Sequence, residues 1–160
     1  MYLYMKQRVF SWRDKFYIYD RNGNEMYYVE GELFSWGKKL HLYDMAGNEL
    51  AFIEEKVFSW LPKYYVHRPS CATFEVVKAM SFFRPVYFVD GLGWDIKGDF
   101  FDHSYEIKGG YDNIVASVAK EWFTFGDAYR IDIRDAREVV PALATVLVID
   151  ACIEAQQRSN

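Results

Sequence analysis

Cysteine is scarce in this sequence: Cys71 and Cys152 are the only two among 160 residues. Two thiols, one of them inside an apolar stretch, exclude the disulfide framework of a small secreted scaffold and suit a reducing compartment. Positive charge is not in excess either. Nineteen Lys and Arg against 23 Asp and Glu leave a formal charge of −4, so no global basic field draws the chain to nucleic acid. The three histidines, His41, His67 and His103, fall into no HxxxH or Cys/His spacing, which removes the common metal patterns. No metal and no cofactor is expected. The opening residues, Met1-Tyr2-Leu3-Tyr4-Met5-Lys6, lack the apolar h-region of a secretory signal. The expectation is a cytoplasmic protein.

Long hydrophobic runs are missing too. The longest low-polarity stretch, Val139 to Ile149, is eleven residues, well short of the roughly twenty that a membrane span needs. It is flanked by Asp132, Asp135, Glu138 and Glu154, so no transmembrane segment is expected. On a helical wheel its apolar residues cover every side, leaving no face for water. A helix of that kind and length belongs inside protein. Val139, Leu143, Val146, Leu147 and Ile149 are its core residues, and Asp150 is the one acid embedded among them. Either Asp150 marks where the helix leaves its container, or it is buried and hydrogen-bonded. The apolar Ala151, Cys152 and Ile153 that follow favour burial. Asp135 and Glu138 have the spacing of a capping box. A helix starting there places Pro141 inside it as a kink, whereas a start near Val139 leaves Pro141 harmless in the first turn.

What is abundant is aromatic residues, 19% of the chain, which favours pleated sheet. The first half repeats itself. Phe10-Ser11-Trp12 recurs as Phe34-Ser35-Trp36 and Phe58-Ser59-Trp60, a period of 24. Lys15, Lys39 and Lys63 keep step, as do the Asp20 to Glu25 and Asp44 to Glu49 segments, whose Asx and Gly residues read as hairpin turns. Between turns the alternation has period two: Phe16 and Ile18, Leu40 and Leu42, and Tyr64 and Val66 share one face. Tyr27, Val29 and Leu33 share a face on the returning strand, with Ala51, Ile53 and Val57 as their equivalents. His41 and His67 point the other way. This is an antiparallel meander with one face buried. Thr73 to Met80 fits a strand or a short helix equally. Two strands per 24 residues over the 134 residues before the helix gives about eleven strands, enough to enclose a helix about 10–12 Å across.

The residues that carry a family likeness are Lys6-Gln7-Arg8-Val9-Phe10-Ser11-Trp12-Arg13-Asp14-Lys15-Phe16, the Asp-x-x-Gly-Asn turns, Leu61-Pro62-Lys63-Tyr64 and Ala144-Thr145-Val146-Leu147-Val148-Ile149-Asp150. In these the chain resembles the bacterial branch of the LURP-one-related proteins, grouped with the tubby C-terminal domain and the phospholipid scramblases. The resemblance covers essentially the whole chain. It implies one domain over residues 1–160: a closed antiparallel β-barrel of about 11–12 strands, over about 1–134, enclosing a hydrophobic C-terminal α-helix at about 136–156. Tubby domains bind membrane phosphoinositides, but no stretch here matches their contacting residues, and no scramblase-like Cys-rich or calcium segment is present. Lipid binding enters as analogy.

Catalytic patterns are weak. Asp102-His103-Ser104 contains triad residue types, but strand neighbours point to opposite faces. Asp20 to Glu25 lacks the full ligand pattern of a calcium loop, and Asp90-Gly91-Leu92-Gly93-Trp94 lacks a nucleotide loop's third glycine. One constellation remains. In a meander, alternate turns emerge at one end, which gathers Trp12, Trp36 and Trp60 with Arg13, Lys15, Lys38, Lys39 and Lys63, and with few acids besides Asp14. Tryptophan beside lysine suits a lipid headgroup interface. The sequence therefore reads as a non-enzymatic binding module, docking on an anionic membrane surface or a phosphoinositide-like ligand through that end. The alternative is a structural or protein-interaction domain, with the tryptophans folded inward as lids over the barrel mouth.

Overall fold

The computed structural model describes residues 1–6, 15–82, 84–123 and 126–159, except the side chains of residues 122, 123, 126 and 127. Twelve strands follow one another: β1 (Tyr2–Lys6), β2 (Phe16–Tyr19), β3 (Glu25–Gly31), β4 (Lys39–Asp44), β5 (Glu49–Glu55), β6 (Lys63–His67), β7 (Phe74–Ser81), β8 (Arg84–Asp90), β9 (Trp94–Asp99), β10 (Ser104–Lys108), β11 (Ile114–Phe123) and β12 (Gly126–Ile133). Each pairs antiparallel with its sequence neighbours, and β1 closes on β12 to complete the barrel. The undecided stretch from Thr73 to Met80 is thus strand β7 rather than helix.

The repeat builds the same hairpin twice. Asp20 Oδ1 accepts from the main-chain N–H groups of Asn22 and Asn24, and Oδ2 accepts from the Asn24 amide. Asp44 does the same with Ala46 and Asn48. Gly23 and Gly47 follow with φ of +84° and +86°, a conformation glycine adopts without strain. A bulge then falls at the same place in both copies, at Tyr19 and at Tyr43. The Asn48 and Asn24 hydrogen bonds hold both carboxyls below the usual carboxylate range.

Inward positions are aliphatic and largely β-branched: Ile18, Val29, Leu42, Ile53, Val66, Val76, Ile96, Ile107 and Ile131 are all buried. His41 and His67 do point outward, where they stack with Phe52 and Tyr43. Leu33 and Val57 depart from the expected inward face. Strands β3 and β5 end at Gly31 and Glu55, so both residues lie on connections and are exposed.

Helix α1 (Val139–Ser159) follows a 3-10 turn over Ala136–Glu138. Asp135 caps that turn through Arg137 N–H, so Pro141 sits in the first turn of α1, the harmless placement. The helix is buried from Val139 through Ile153 save Val140. It enters at the end carrying the Asx turns and runs toward the tryptophan end, where Lys38 and Lys78 meet Ala151, Glu154 and Gln156.

Candidate functional site

Because every neighbouring pair is antiparallel, the odd-to-even connections, from β1–β2 through β11–β12, all emerge at the tryptophan end. Three of these connections carry described aromatic side chains that stand in solvent. On the β3–β4 connection Phe34 is 99% exposed and Trp36 83%; on β5–β6 Phe58 is 89% exposed and Trp60 fully so. Phe82, at the tip of the β7–β8 hairpin, is 94% exposed. Side chains this bare are not folded inward over the barrel mouth. Trp12 and Arg13 lie outside the described residues. The two Phe-Ser-Trp connections interlock at Gly37, whose φ is +77° and where an added Cβ would meet Val57 Cγ2 at 2.9 Å. Ser35 donates to Gly37 O within the same turn.

The β7–β8 hairpin reaches beyond the barrel wall. Its ladder with β6 ends at Lys63↔Val77, and its ladder with β9 ends at Tyr87↔Ile96. Between these points only the hairpin's own two strands pair, out to Ser81↔Arg84.

The lysines at this end are accompanied by acids, against the expectation of an acid-poor cluster. Lys15 Nζ lies 3.6 Å from Glu30 and 3.8 Å above the Tyr28 ring. Lys39 lies 3.8 Å from Glu32 and Lys63 2.7 Å from Glu75, whose hydrogen bond raises the Lys63 ammonium above its ordinary value. Lys38 donates to Ala151 O at 2.8 Å and to Glu154 at 3.3 Å, while its N–H donates to Glu55. Glu30 stands on β3, Glu32 just past its end and Glu75 on β7, two positions along from the partner of Lys63, contacts invisible without the pairing of strands.

Beneath the aromatic tips lies a buried polar layer that sequence reasoning foresaw only in part. Asp150 is buried and accepts a hydrogen bond from Tyr129 Oη. Its other oxygen faces His103 Nε2 at 3.3 Å, an ion-pair distance without hydrogen-bond alignment. His103 is buried as well, and its ring stacks on Tyr129 with centroids 4.5 Å apart at 19°. Tyr105, Tyr87 and Tyr64 continue the layer around the helix. Burial raises all four phenols, and the Asp150 charge adds to this for Tyr87, Tyr105 and Tyr129. Burial also pushes the Cys152 thiol up to about 11. Phe100 wedges between Tyr87 and Tyr105, at 4.6 and 5.3 Å. Asp102, His103 and Ser104 do not assemble a triad: only His103 points inward, from a left-handed turn with φ +48°. That turn was the missed signal, since a strand-like alternation across 102–104 does not apply there.

Among the described residues, no three His, Cys, Asp or Glu side chains are placed to hold a metal ion, and no helix is long and apolar enough to cross a membrane.

The sequence model of the family described as LURP-one-related matches residues 1–150. The chain is similar to a protein of Bacillus subtilis (strain 168) named uncharacterized protein YxjI, 37% identical over 148 residues, which is 92% of this chain and 91% of that one. Among solved structures it is similar to an Arabidopsis thaliana protein known by X-ray crystallography. The TM-score is 0.62 at 19% identity, over 94% of this chain and 91% of that one, a likeness of fold.

Proposed function

The chain belongs to the LURP-one-related family, and from that premise we propose that it is a non-enzymatic binding module that docks on a lipid surface through its tryptophan end. The observation that carries this reading is the set of bare aromatic side chains Phe34, Trp36, Phe58, Trp60 and Phe82, borne on three separate connections at one end of the barrel. Apolar rings held in water are costly to keep, and each contributes about 1.5–3 kcal/mol when removed from it. Tryptophan in particular is suited to the headgroup boundary, with an apolar body and one polar N–H. Spread over separate tips around a closed rim, these rings suit a broad, yielding surface better than a narrow groove.

The lysines play a secondary part in this reading. Lys15, Lys39 and Lys63 face glutamates, and Lys38 is committed to the helix, so attraction to anionic headgroups or a phosphoinositide-like ligand is reduced. Insertion of the rings is the main source of affinity.

The test is co-sedimentation with vesicles of phosphatidylcholine alone and with added phosphoinositide, at low and physiological salt. Wild type is expected to pellet with both, weakening little with salt, with a blue shift of tryptophan emission. Phe34→Ser/Trp36→Ser/Phe58→Ser/Trp60→Ser is expected to stay in solution. If wild type pellets with neither vesicle at low salt, docking on lipid is wrong, and the exposed rim belongs to a protein-interaction domain.

A further inference from the structure

The buried layer under the rim has the composition of a cation site. One carboxylate, Asp150, stands among the rings of Tyr87, Phe100, Tyr105 and Tyr129. A carboxylate inside aromatic walls is how proteins hold ammonium groups, because the ring faces and the acid both favour positive charge. Here the place of the cation is taken by the chain itself: the His103 ring lies flat on Tyr129 with Nε2 3.3 Å from Asp150.

Three features say that His103 is a removable occupant. Hydrogen-bonding capacity is left unspent, since Asp150 Oδ1, Tyr105 Oη and His103 Nδ1 are buried without hydrogen-bond partners, a state that is costly to keep. The residue carries backbone strain, with φ of +48° at a position that is not glycine. Finally, the β9–β10 turn is weakly tied down. The β8–β9 ladder stops at Ile96, the turn's own hydrogen bonds are internal, and of residues 97–104 only Phe100 and His103 are buried.

We propose that this layer is a binding site for the ammonium group of a lipid headgroup, and that the β9–β10 turn is its lid, with His103 as the built-in stand-in for the ligand. The inference rests on the docking reading for the source of the ammonium, since the rim would bring headgroups to the mouth of the site. When the lid swings outward, the headgroup nitrogen takes the place of the imidazole beside Asp150. Tyr105 Oη, without a partner while the lid is closed, then donates to the adjoining phosphate or glycerol oxygens.

Two measurements test it. The first uses His103→Gly, which suits the left-handed position and empties the imidazole's place. Its thermal melting is followed with choline and with the neutral isostere 3,3-dimethyl-1-butanol. Choline is expected to stabilise it with an affinity about tenfold or more beyond the isostere's, as a desolvated cation–aromatic contact gives. Adding Asp150→Asn is expected to abolish that difference. Equal effects of the two compounds, or none from either, overturn the site. The second uses the wild-type chain and follows acylation of His103 by diethylpyrocarbonate, read by mass spectrometry. His103 is expected to be protected in solution and with phosphatidylglycerol vesicles, and to become reactive on phosphatidylcholine or phosphatidylethanolamine vesicles. If the protein sediments with those vesicles while His103 stays protected, the lid is wrong and docking stands. If free choline at matched concentration exposes His103 equally, the lipid is not the source. If the protein sediments with no vesicle, docking is wrong, and the His103→Gly melts still decide the site.

Discussion

The ammonium of Lys38 donates to the main-chain oxygen of Ala151 at 2.8 Å, across 113 residues of sequence. Ala151 lies in the buried part of the central helix, well before its end at Ser159, so this lysine stitches the aromatic β3–β4 connection to the helix inside the barrel. Lys38→Met is therefore expected to lower stability by about 1.5–3 kcal/mol, the range for a hydrogen bond to a charged group. Urea denaturation checks this, and an unchanged midpoint would mean that the contact contributes nothing net.

Asp150 gives a second stability test. Asp150→Leu strands the Tyr129 hydroxyl and the His103 ring together, at an expected loss of about 1–3 kcal/mol per unpaired group. Tyr129→Phe leaves one group, the Asp150 carboxylate, without its hydrogen bond but still facing His103, so it is expected to cost less than Asp150→Leu, which leaves two. Melting curves of the two variants rank them; the opposite order contradicts a buried, hydrogen-bonded Asp150.

His41 sets a pH dependence. Burial lowers its pKa, but the hydrogen bonds its ring nitrogens donate to Glu32 and Glu49, at 3.0 and 2.7 Å, outweigh this and raise it above the ordinary value of 6.5. A raised pKa in the folded state stabilises below the unfolded value, and the gain is lost as pH climbs through the folded one. Wild type is thus expected to lose stability relative to His41→Gln as pH climbs above the ordinary imidazole value, measured by denaturation at a series of pH values. Parallel curves for the two proteins would mean that the clamp does not act.

Gly98 adopts φ +144°, and an added Cβ would lie 2.4 Å from Ser104 O and 2.5 Å from Tyr105 Cα. Those are backbone atoms, so nothing yields cheaply. Gly98→Ala is expected to cost about 1–3 kcal/mol in backbone strain alone and to force β9 and β10 apart. Increased amide exchange at Ser104 and Tyr105 checks the location of the damage.

The central helix should be indispensable. Leu143, Val146, Leu147 and Ile149 are fully buried, and each contributes about 1.5–3 kcal/mol, a sum comparable with a whole domain's net stability. Truncation after Arg134 is expected to yield insoluble or molten protein, read by loss of a cooperative melt. A soluble truncated chain that melts sharply contradicts the threaded barrel.

The barrel was legible because its instructions are local. Alternation at Phe16-Tyr17-Ile18 fixes which face is wet, and the Asp-x-x-Gly-Asn turn carries its own hydrogen bonds and its own glycine. A helix with apolar residues all round needs a container, whatever its neighbours. The predicted inward placement of Leu33 and Val57 failed because alternation says nothing about where a strand stops. The aromatic tips were visible as a repeat, but their exposure was not.

What the sequence determined alone is a container of about eleven strands, its hairpins and its greasy threaded helix, since periods of two and of 3.6 residues are written in neighbouring positions; the count of twelve came with the structure. Tertiary structure alone decided which glutamate met which lysine, because strand register sets those pairs. It also decided that His103 would turn inward, on a left-handed turn that breaks the alternation, and meet Asp150 from a helix 47 residues later. That meeting depends on how far the helix threads the barrel, a depth fixed by packing around all twelve strands.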